Sequence, residues 1–391
     1  MSGPDTSFEL RRFGRGAALT LVFAGVLAAG AAGGAFGGDQ QSGQSTATPV
    51  GTSPAAHDED VNEAAAKALA DGKSPAQAAR QEVSRSGDRW SAVYSPEEYE
   101  EFAKALDGEY TGVGLWARRA VDGGIEVSRV HEDSPAERAG IRTGDRLRSV
   151  DGRKVDDLPV TEVVALLRGA AGEARPGSTV ALGMQREGHA WQETLRRAVL
   201  RTSPVTVEPV GTDGDVRIKV GSFTKGSGEK VREAVREAPA GAGVLLDLRG
   251  NSGGLVAEAT RAASAFLDGG LVATYDIKGE QRALHAEPGG DTGRPVVALV
   301  DGGTMSAAEL LTGALQDRGR AVVVGTKTFG KGSVQMPSRL PDGSVAELTV
   351  GHYRTPSGHS VDNRGITPDL EVAEGAEKRA ETVLSGLGDP S

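Results

Sequence analysis

The sequence predicts an α+β multidomain protein, and three observations carry that expectation. At 391 residues the chain is longer than one ordinary core, so about two or three domains are expected. Its hydrophobic period changes along the chain: helical spacing in 58–110, short alternating strand patterns in 111–199, and buried-type apolar runs alternating with helices in 200–372. Composition is ordinary for a globular chain, with 38% hydrophobic and 25% charged residues. A net charge of −10 argues against a strongly basic nucleic-acid binder, and none is expected as a partner. The absence of cysteine excludes a thiol nucleophile, cysteine-ligated zinc, iron–sulfur clusters and disulfides.

Residues 1–38 read as a signal peptide or membrane anchor. Arg11, Arg12 and Arg15 precede an uncharged stretch from Gly16 to Gly38, long enough to span a bilayer with the N-terminus inside. The rest of the chain would then be exported, attached to the cell membrane if the segment is uncleaved and secreted if it is cleaved. The Arg-Arg pair also fits twin-arginine export, though a positive flank explains it more simply. Residues 39–57, rich in Gly, Ser, Thr, Gln and Pro, read as a flexible linker.

Residues 58–110 form a helical N-terminal arm. Its alanines recur through Ala70, Pro75 restarts a helix, and Ser95-Pro96-Glu97-Glu98 opens another through Leu106. Tyr99, Phe102 and Leu106 recur at helical spacing, which predicts a face packed on the next domain.

Strand patterns at Val113–Trp116, Gly124–Val130, Asp145–Val150 and Thr179–Met184 surround two helical stretches, Ser134–Gly140 and Val160–Leu167. This region, 111–199, resembles a PDZ domain through Tyr110-Thr-Gly-Val-Gly-Leu and Ser134-Pro-Ala-Glu-Arg-Ala-Gly-Ile-Arg-Thr-Gly-Asp. The resemblance makes Gly112, Val113, Gly114 and Leu115 the peptide-binding loop. Successive backbone N–H groups there would capture a terminal carboxylate while the sheet edge pairs with the peptide. A tight hairpin that uses glycines only for positive φ accounts for the same run.

In 200–372, Val244–Leu248, Pro295–Val300 and Arg320–Val324 read as buried strands, and Leu255–Leu267 and Ser306–Leu315 as helices, an α/β core with sites at strand ends. Residues 373–391 read as a C-terminal helix and tail.

Four runs compete as chemistry. Gly250-Asn-Ser252-Gly-Gly fits a nucleophile elbow, but the six histidines are scattered and none is a persuasive partner; a glycine-rich turn presenting N–H groups explains it as well. Ser227-Gly-Glu-Lys230 has Ser-x-x-Lys spacing without its companion motifs and reads as a helix N-cap. Gly325-Thr-Lys-Thr-Phe-Gly330-Lys331 is a P-loop except that Gly332 replaces the magnesium-binding hydroxyl, and an extended segment follows it. Ser306 opens a helix after an apolar strand. Ser306-Ala-Ala-Glu309 is a capping box, and the same helix end would also stabilise an acyl oxyanion. His352 and His359 read as loop or strand residues rather than ligands.

Taken together, Leu246-Asp-Leu-Arg-Gly-Asn-Ser-Gly-Gly-Leu, Gly303-Thr-Met-Ser-Ala-Ala-Glu-Leu, Gly313-Ala-Leu-Gln-Asp and Lys327-Thr-Phe-Gly-Lys-Gly-Ser-Val-Gln resemble the carboxy-terminal processing peptidases, or tail-specific proteases. Tyr94-Ser-Pro-Glu-Glu-Tyr and Tyr353-Arg-Thr-Pro-Ser-Gly extend the resemblance from about Asp58 to Asp369. It implies a ClpP/crotonase-like α/β catalytic core, with Ser306 as nucleophile, Lys331 as general base and Gln335 orienting the lysine amine. Lys327 is the competing base, but Lys331 holds the family's Phe-Gly-Lys-Gly position. The oxyanion hole would be the Ala307 N–H with one from the Gly253-Gly254 turn.

Asp301 stands where the family commonly has Asn, Thr304-Met305 where it has Ser-Ala, and Ser252 where Pro or Asn often sits. The reading is a serine endopeptidase that captures accessible, apolar C-termini of proteins or peptides and needs no cofactor, metal or ATP. A PDZ-like domain that gates the site is a further expectation. The rival is a non-catalytic cell-surface PDZ adaptor.

Overall fold

A computed structural model describes residues 58–120, 122–169, 175–211, 214–277 and 280–388. The expected signal or anchor segment and its linker lie outside the described residues. Among the described residues no helix is long and apolar enough to cross a membrane. The chain forms two compact units, Tyr110–Leu200 and a larger one of 58–109 with 201–388.

In the smaller unit, strands Leu115–Arg119, Ile125–Val130, Arg146–Val150, Thr179–Arg186 and His189–Arg196 pair in that order, with Arg153–Lys154 beside the third. Ile125 and Val127, Leu182 and Met184, alternating on their strands, and Leu147 and Val150, on either side of a register shift, meet Val163 and Leu167 of helix Val160–Arg168 in one core. Ser134 caps helix Pro135–Arg138, its Oγ accepting from Glu137 N–H at 3.2 Å. Strand His189–Arg196 escapes the sequence reading because only Leu195 along it is buried.

The larger unit holds a six-stranded sheet in the order Val205–Val210, Asp215–Val220, Val244–Asp247, Val296–Val300, Val322–Gly325, Leu370–Glu371. Its first pair is antiparallel and the rest are parallel. Leu246, aligned with Ala298, and Val323 share a core with Val231, Ala259 and Leu310 from helices Ser227–Glu237, Val256–Ala263 and Ala307–Asp317. Their neighbours Leu245, Val297, Leu299 and Val324 instead meet Ala380 and Leu384 of the C-terminal helix Ala376–Gly388. Both faces are covered, which is why these strands read as unbroken apolar runs. Gly226, at φ +81°, is the N-cap of helix Ser227–Glu237; Ser227 is its first buried residue and not the cap that the spacing suggests.

A second sheet runs Ala92–Tyr94, Val345–Arg354, Leu271–Ile277, Glu280–His285, with Ser333–Arg339 also paired to Val345–Arg354. Arm helices Asp58–Ala70 and Pro75–Ser86 bury Val61, Ala65, Ala79 and Val83 against Leu340, Ala346 and Leu348 of this sheet region. The predicted start at Ser95 is present as a capping box: Ser95 N–H donates to Glu98 Oε2 at 2.8 Å and Glu98 N–H to Ser95 Oγ at 3.2 Å. Tyr99 and Phe102 were expected to pack on another domain. They meet Tyr94 of the adjoining strand instead, Phe102 stacking on it at 5.3 Å.

Candidate active site

Two loops leave the carboxyl ends of neighbouring parallel strands, 248–255 after Val244–Asp247 and 301–306 after Val296–Val300, where open α/β sheets place their sites. Polar side chains lock them together, those of Asn251 and Thr304 fully buried. Asp301 Oδ1 accepts from Gly250 N–H and Gly303 N–H, both at 2.9 Å. Thr304 Oγ1 donates to the Leu248 carbonyl at 2.9 Å and accepts from Asp301 N–H at 3.0 Å. Asn251 donates to the Val220 carbonyl at 2.9 Å, and its own carbonyl accepts from Met305 N–H at 2.8 Å.

Ser306 ends the second loop at φ +56°, ψ −119°, a left-handed conformation that costs a non-glycine residue on the order of 1–3 kcal/mol. Four hydrogen bonds on its backbone hold that strain. Ser306 N–H donates to Glu309 Oε2 at 2.9 Å, and its carbonyl accepts from Glu309 N–H at 2.8 Å, from Leu310 N–H at 3.0 Å and from the buried Tyr353 hydroxyl at 2.9 Å. Ser252 is half-buried and lies outside the positive-φ residues, so the strained elbow sits at Ser306. His352 pairs with Asp362 at 3.6 Å and His359 with the Gly365 carbonyl at 3.2 Å.

Gly253 comes closest to the serine. At φ +96°, a Cβ there would fall 2.9 Å from Ser306 Cβ and the Met305 carbonyl and 3.0 Å from Ala307 N, so only glycine fits. Its N–H is spent on Asn251 Oδ1 at 2.8 Å. Gly254, the other glycine expected to supply an oxyanion donor, is exposed, and Ala307 stands at the first turn of helix Ala307–Asp317.

Lys331 approaches on the loop between Val322–Gly325 and Ser333–Arg339. No helix follows the P-loop-like run, and the N–H groups that a P-loop offers to phosphate are directed elsewhere. Gly330 N–H donates to Glu309 Oε1 at 2.7 Å and Lys331 N–H to Glu309 Oε2 at 2.9 Å, with the Thr328 hydroxyl on Oε1 at 2.5 Å. Glu309, seen in the sequence only as half of a capping box, thus joins the backbone of Ser306 to that of Lys331. Burial pushes its pKa up, opposed by these four donors. A second tie runs from Phe329 N–H to the Thr304 carbonyl at 3.0 Å. Lys327 is exposed and lies outside this arrangement.

The Lys331 amine lies 4.8 Å from the centre of the Trp90 ring, and among the described residues it makes no hydrogen bond to Ser306 or Gln335. Burial pushes its pKa below the ordinary value, while the charges of Asp88, Glu347 and Glu309 act the other way. Gln335 sits at a bulge in strand Ser333–Arg339, a device that re-aims side chains. Its amide nitrogen donates to Ser333 Oγ at 2.9 Å and Thr349 Oγ1 at 3.2 Å. Trp90, Asp88, Glu347 and Tyr353 were missed as site residues, because they come from the arm and the second sheet, far from the motifs in sequence.

In the smaller unit, the expected peptide-binding loop is fixed by its carbonyls. That of Val113 accepts from Ala136 N–H and that of Gly114 from His131 N–H, both at 2.9 Å. Gly114 is at φ +84° and a Cβ would fall 2.2 Å from Ser134 Cβ. Val113 is buried in the core and Leu115 packs against it.

Fold and site together define a two-module chain, a PDZ-type β-unit with an α/β core of the peptidase kind. The model of Peptidase family S41 matches residues 216–372 and that of the PDZ domain residues 126–176. The carboxyl-terminal-processing protease of Synechocystis sp. is 34% identical over 73% of this chain and 67% of its own length. Carboxyl-terminal-processing peptidase 3, chloroplastic, of Arabidopsis thaliana is 34% identical over 75% of this chain, and the carboxy-terminal processing protease CtpA of Bacillus subtilis 32% identical over 73%. The matched region spans 59% and 61% of the lengths of those two relatives. The solved photosystem II D1 C-terminal processing protease superposes with a TM-score of 0.51 at 26% identity, covering 81% of this chain and 86% of that one. The chain belongs to the carboxyl-terminal processing protease family, within Peptidase family S41.

Proposed function

We propose that this chain is an exported serine endopeptidase that cleaves proteins captured by their C-termini. The observation that carries the reading is Glu309, whose carboxylate holds the backbone of strained Ser306 and of Lys331 at once. Ser306 Oγ attacks the scissile carbonyl and its proton passes to the neutral Lys331 amine. The oxyanion rests on the N–H groups of Ala307 and Gly254, at the positive end of the helix. Lys331 then gives the proton to the leaving amine, and water hydrolyses the acyl-enzyme by the same route in reverse. A Lys amine is charged at pH 7 with an ordinary pKa of ~10.4, so burial is what makes it available as a base. Gln335 orients the amine once it turns toward Ser306.

The loop Gly112–Leu115 receives the terminal carboxylate of an apolar tail, and neither metal nor ATP takes part. With a retained N-terminal anchor the enzyme works at the outer face of the cell membrane; with a cleaved one it is secreted. The test is cleavage of an unfolded protein with an apolar C-terminus, in EDTA and without nucleotide, by wild type and by Ser306→Ala, Lys331→Ala and Ser252→Ala. Loss in the first two with activity kept in Ser252→Ala is expected. Activity in Ser306→Ala would refute the assignment, and tail binding without cleavage by any form would favour the adaptor.

A further inference from the structure

The amine of Lys331 is held by a segment that the chemistry above does not use. Trp90 lies in the turn between arm helix Pro75–Ser86 and strand Ala92–Tyr94. Its ring meets two residues of the lysine loop, Phe329 edge-on at 5.9 Å and the Lys331 amine at 4.8 Å, within the ~6 Å reach of a cation–π contact. The Arg89 guanidinium also lies over this ring, at 4.7 Å, and donates to Asn363 Oδ1 at 3.0 Å.

The turn itself is rigidly built. Asp88 accepts from Trp90 N–H at 2.8 Å and from the Ser91 hydroxyl at 2.6 Å. Ser91 Oγ accepts from Thr349 N–H at 2.9 Å, and Thr349 Oγ1 accepts from Gln335, the residue expected to orient the lysine. These hydrogen bonds keep Asp88 ionised despite partial burial, so a fixed negative charge accompanies the ring. The charged groups around the amine are therefore Asp88 and Arg89 from the arm, Glu347 from strand Val345–Arg354 and Glu309 from the helix of Ser306.

We infer that the arm turn Asp88–Ser91 is a positioning device for the general base, with Trp90 and Asp88 receiving the ammonium form of Lys331 as it takes the Ser306 proton. The inference rests on the reading of Lys331 as the base. A quadrupole attracts the ammonium and has little hold on the neutral amine, so protonation state and position are linked. The neutral amine is free to leave the ring for Ser306 Oγ. The ammonium formed by proton transfer is stabilised by Trp90 and Asp88 until it delivers its proton, the part that a buried aspartate plays for a catalytic imidazolium. The proton count is unchanged: one leaves Ser306, resides on Lys331 and goes to the leaving amine.

The test measures the Lys331 titration without using activity. Full-length protein carrying Ser306→Ala is pulse-labelled with acetic anhydride across pH, and acetylation of Lys331 is read by peptide mass spectrometry in the parent, Trp90→Leu, Trp90→Phe and Asp88→Asn. Trp90→Leu keeps apolar cover but no quadrupole, and Asp88→Asn keeps the turn but no charge. Both are expected to move the labelling midpoint down by about half a unit to one unit, with Trp90→Phe moving less. With Ser306 restored, the acid limb of kcat/KM moves by the same amount and the plateau kcat falls. Ala79→Gly, in the buried arm core, serves as the control that loosens the arm without touching the turn. An unshifted midpoint in both Trp90→Leu and Asp88→Asn, or a shift matched by Ala79→Gly, overturns the inference. Should Trp90→Leu not fold, Trp90→Phe and Asp88→Asn decide alone. Activity surviving in Lys331→Ala would refute the base reading separately, since the labelling midpoint does not depend on it.

Discussion

Replacing Glu309 by Gln tests whether one buried carboxylate holds the two halves of the site. Its four partners are all donors: the Thr328 hydroxyl and Gly330 N–H on Oε1, Ser306 N–H and Lys331 N–H on Oε2. A carboxamide offers one acceptor oxygen, so its NH2 must face one pair. Facing Ser306 and Lys331, it would oppose two backbone donors that cannot turn. Facing Thr328, it would oppose only Gly330, because the Thr328 oxygen can accept from the NH2 while still accepting from Ile366 N–H. The second orientation is preferred. It leaves one buried N–H unpaired, at about 1–3 kcal/mol, and converts two charge-assisted bonds to neutral ones at about 1 kcal/mol each. The expected loss is about 3–5 kcal/mol of stability, read by urea unfolding. The backbone anchors of Ser306 and Lys331 both persist, so kcat is expected to fall only about tenfold. Glu309→Ala removes the anchors as well and is expected to lower kcat at least ~100-fold, as displacements of about 1 Å do. Equal kcat in the Gln and Ala variants, or wild-type kcat in Glu309→Ala, would refute the reasoning.

Lys331→Met should abolish cleavage and yet stabilise the fold at neutral pH. Burial lowers the lysine below its ordinary 10.5, so between the two values the unfolded chain binds more protons and wild-type stability rises with pH. Urea midpoints at pH 7 and pH 10 should show that slope in wild type and its loss in the variant. Gly253→Ala places a Cβ 2.9 Å from Ser306 Cβ and 3.0 Å from Ala307 N, and should lower kcat about 100-fold with little change in the affinity of a C-terminal peptide for the PDZ unit, measured by titration calorimetry. Thr304→Ser keeps the hydroxyl and should cleave at near wild-type rate. Thr304→Val leaves Asp301 N–H unpaired and the Leu248 carbonyl with Asn251 N–H alone, and should lose about 1–3 kcal/mol in urea unfolding.

How much could be read from the sequence follows from how local each signal is. The arm helices were legible because Pro75, Ser95 and Pro96 mark their starts within a few residues, and the parallel strands because both of their faces are apolar. The second sheet was not: Glu280–His285 is exposed along most of its length, and Ser333–Arg339 carries Pro337 and an exposed Met336, so neither shows a clean period of two. At the site, Ser306 was ambiguous between capping and catalysis because both use a helix N-terminus. Its backbone shows more than capping asks for, since a cap has no need of φ +56° held by Glu309 and Tyr353. The surroundings of Lys331 were invisible for another reason. Trp90, Asp88 and Glu347 reach the amine only through the packing of the arm on the second sheet, a long-range relation that no local pattern encodes.

The same distinction explains why the departures from the family's usual residues are tolerable. Asp301 acts through one oxygen that accepts from two glycine N–H groups, and the Oδ1 of an asparagine has the lone pairs to do the same. Thr304 acts through a hydroxyl that donates once and accepts once, which serine reproduces. Met305 takes part through its backbone, its N–H on the Asn251 carbonyl and its carbonyl accepting from Ala308, so the identity of its side chain is released from holding the loop. What the site fixes is an atom of given hydrogen-bonding type at a given place. At Ser306, Lys331 and Glu309 the proposed roles ask the bonding atom also to carry charge or exchange a proton, so a substitute of the same shape costs more there. The half-buried side chain of Met305, next to Ser306, stands outside that hydrogen-bond framework.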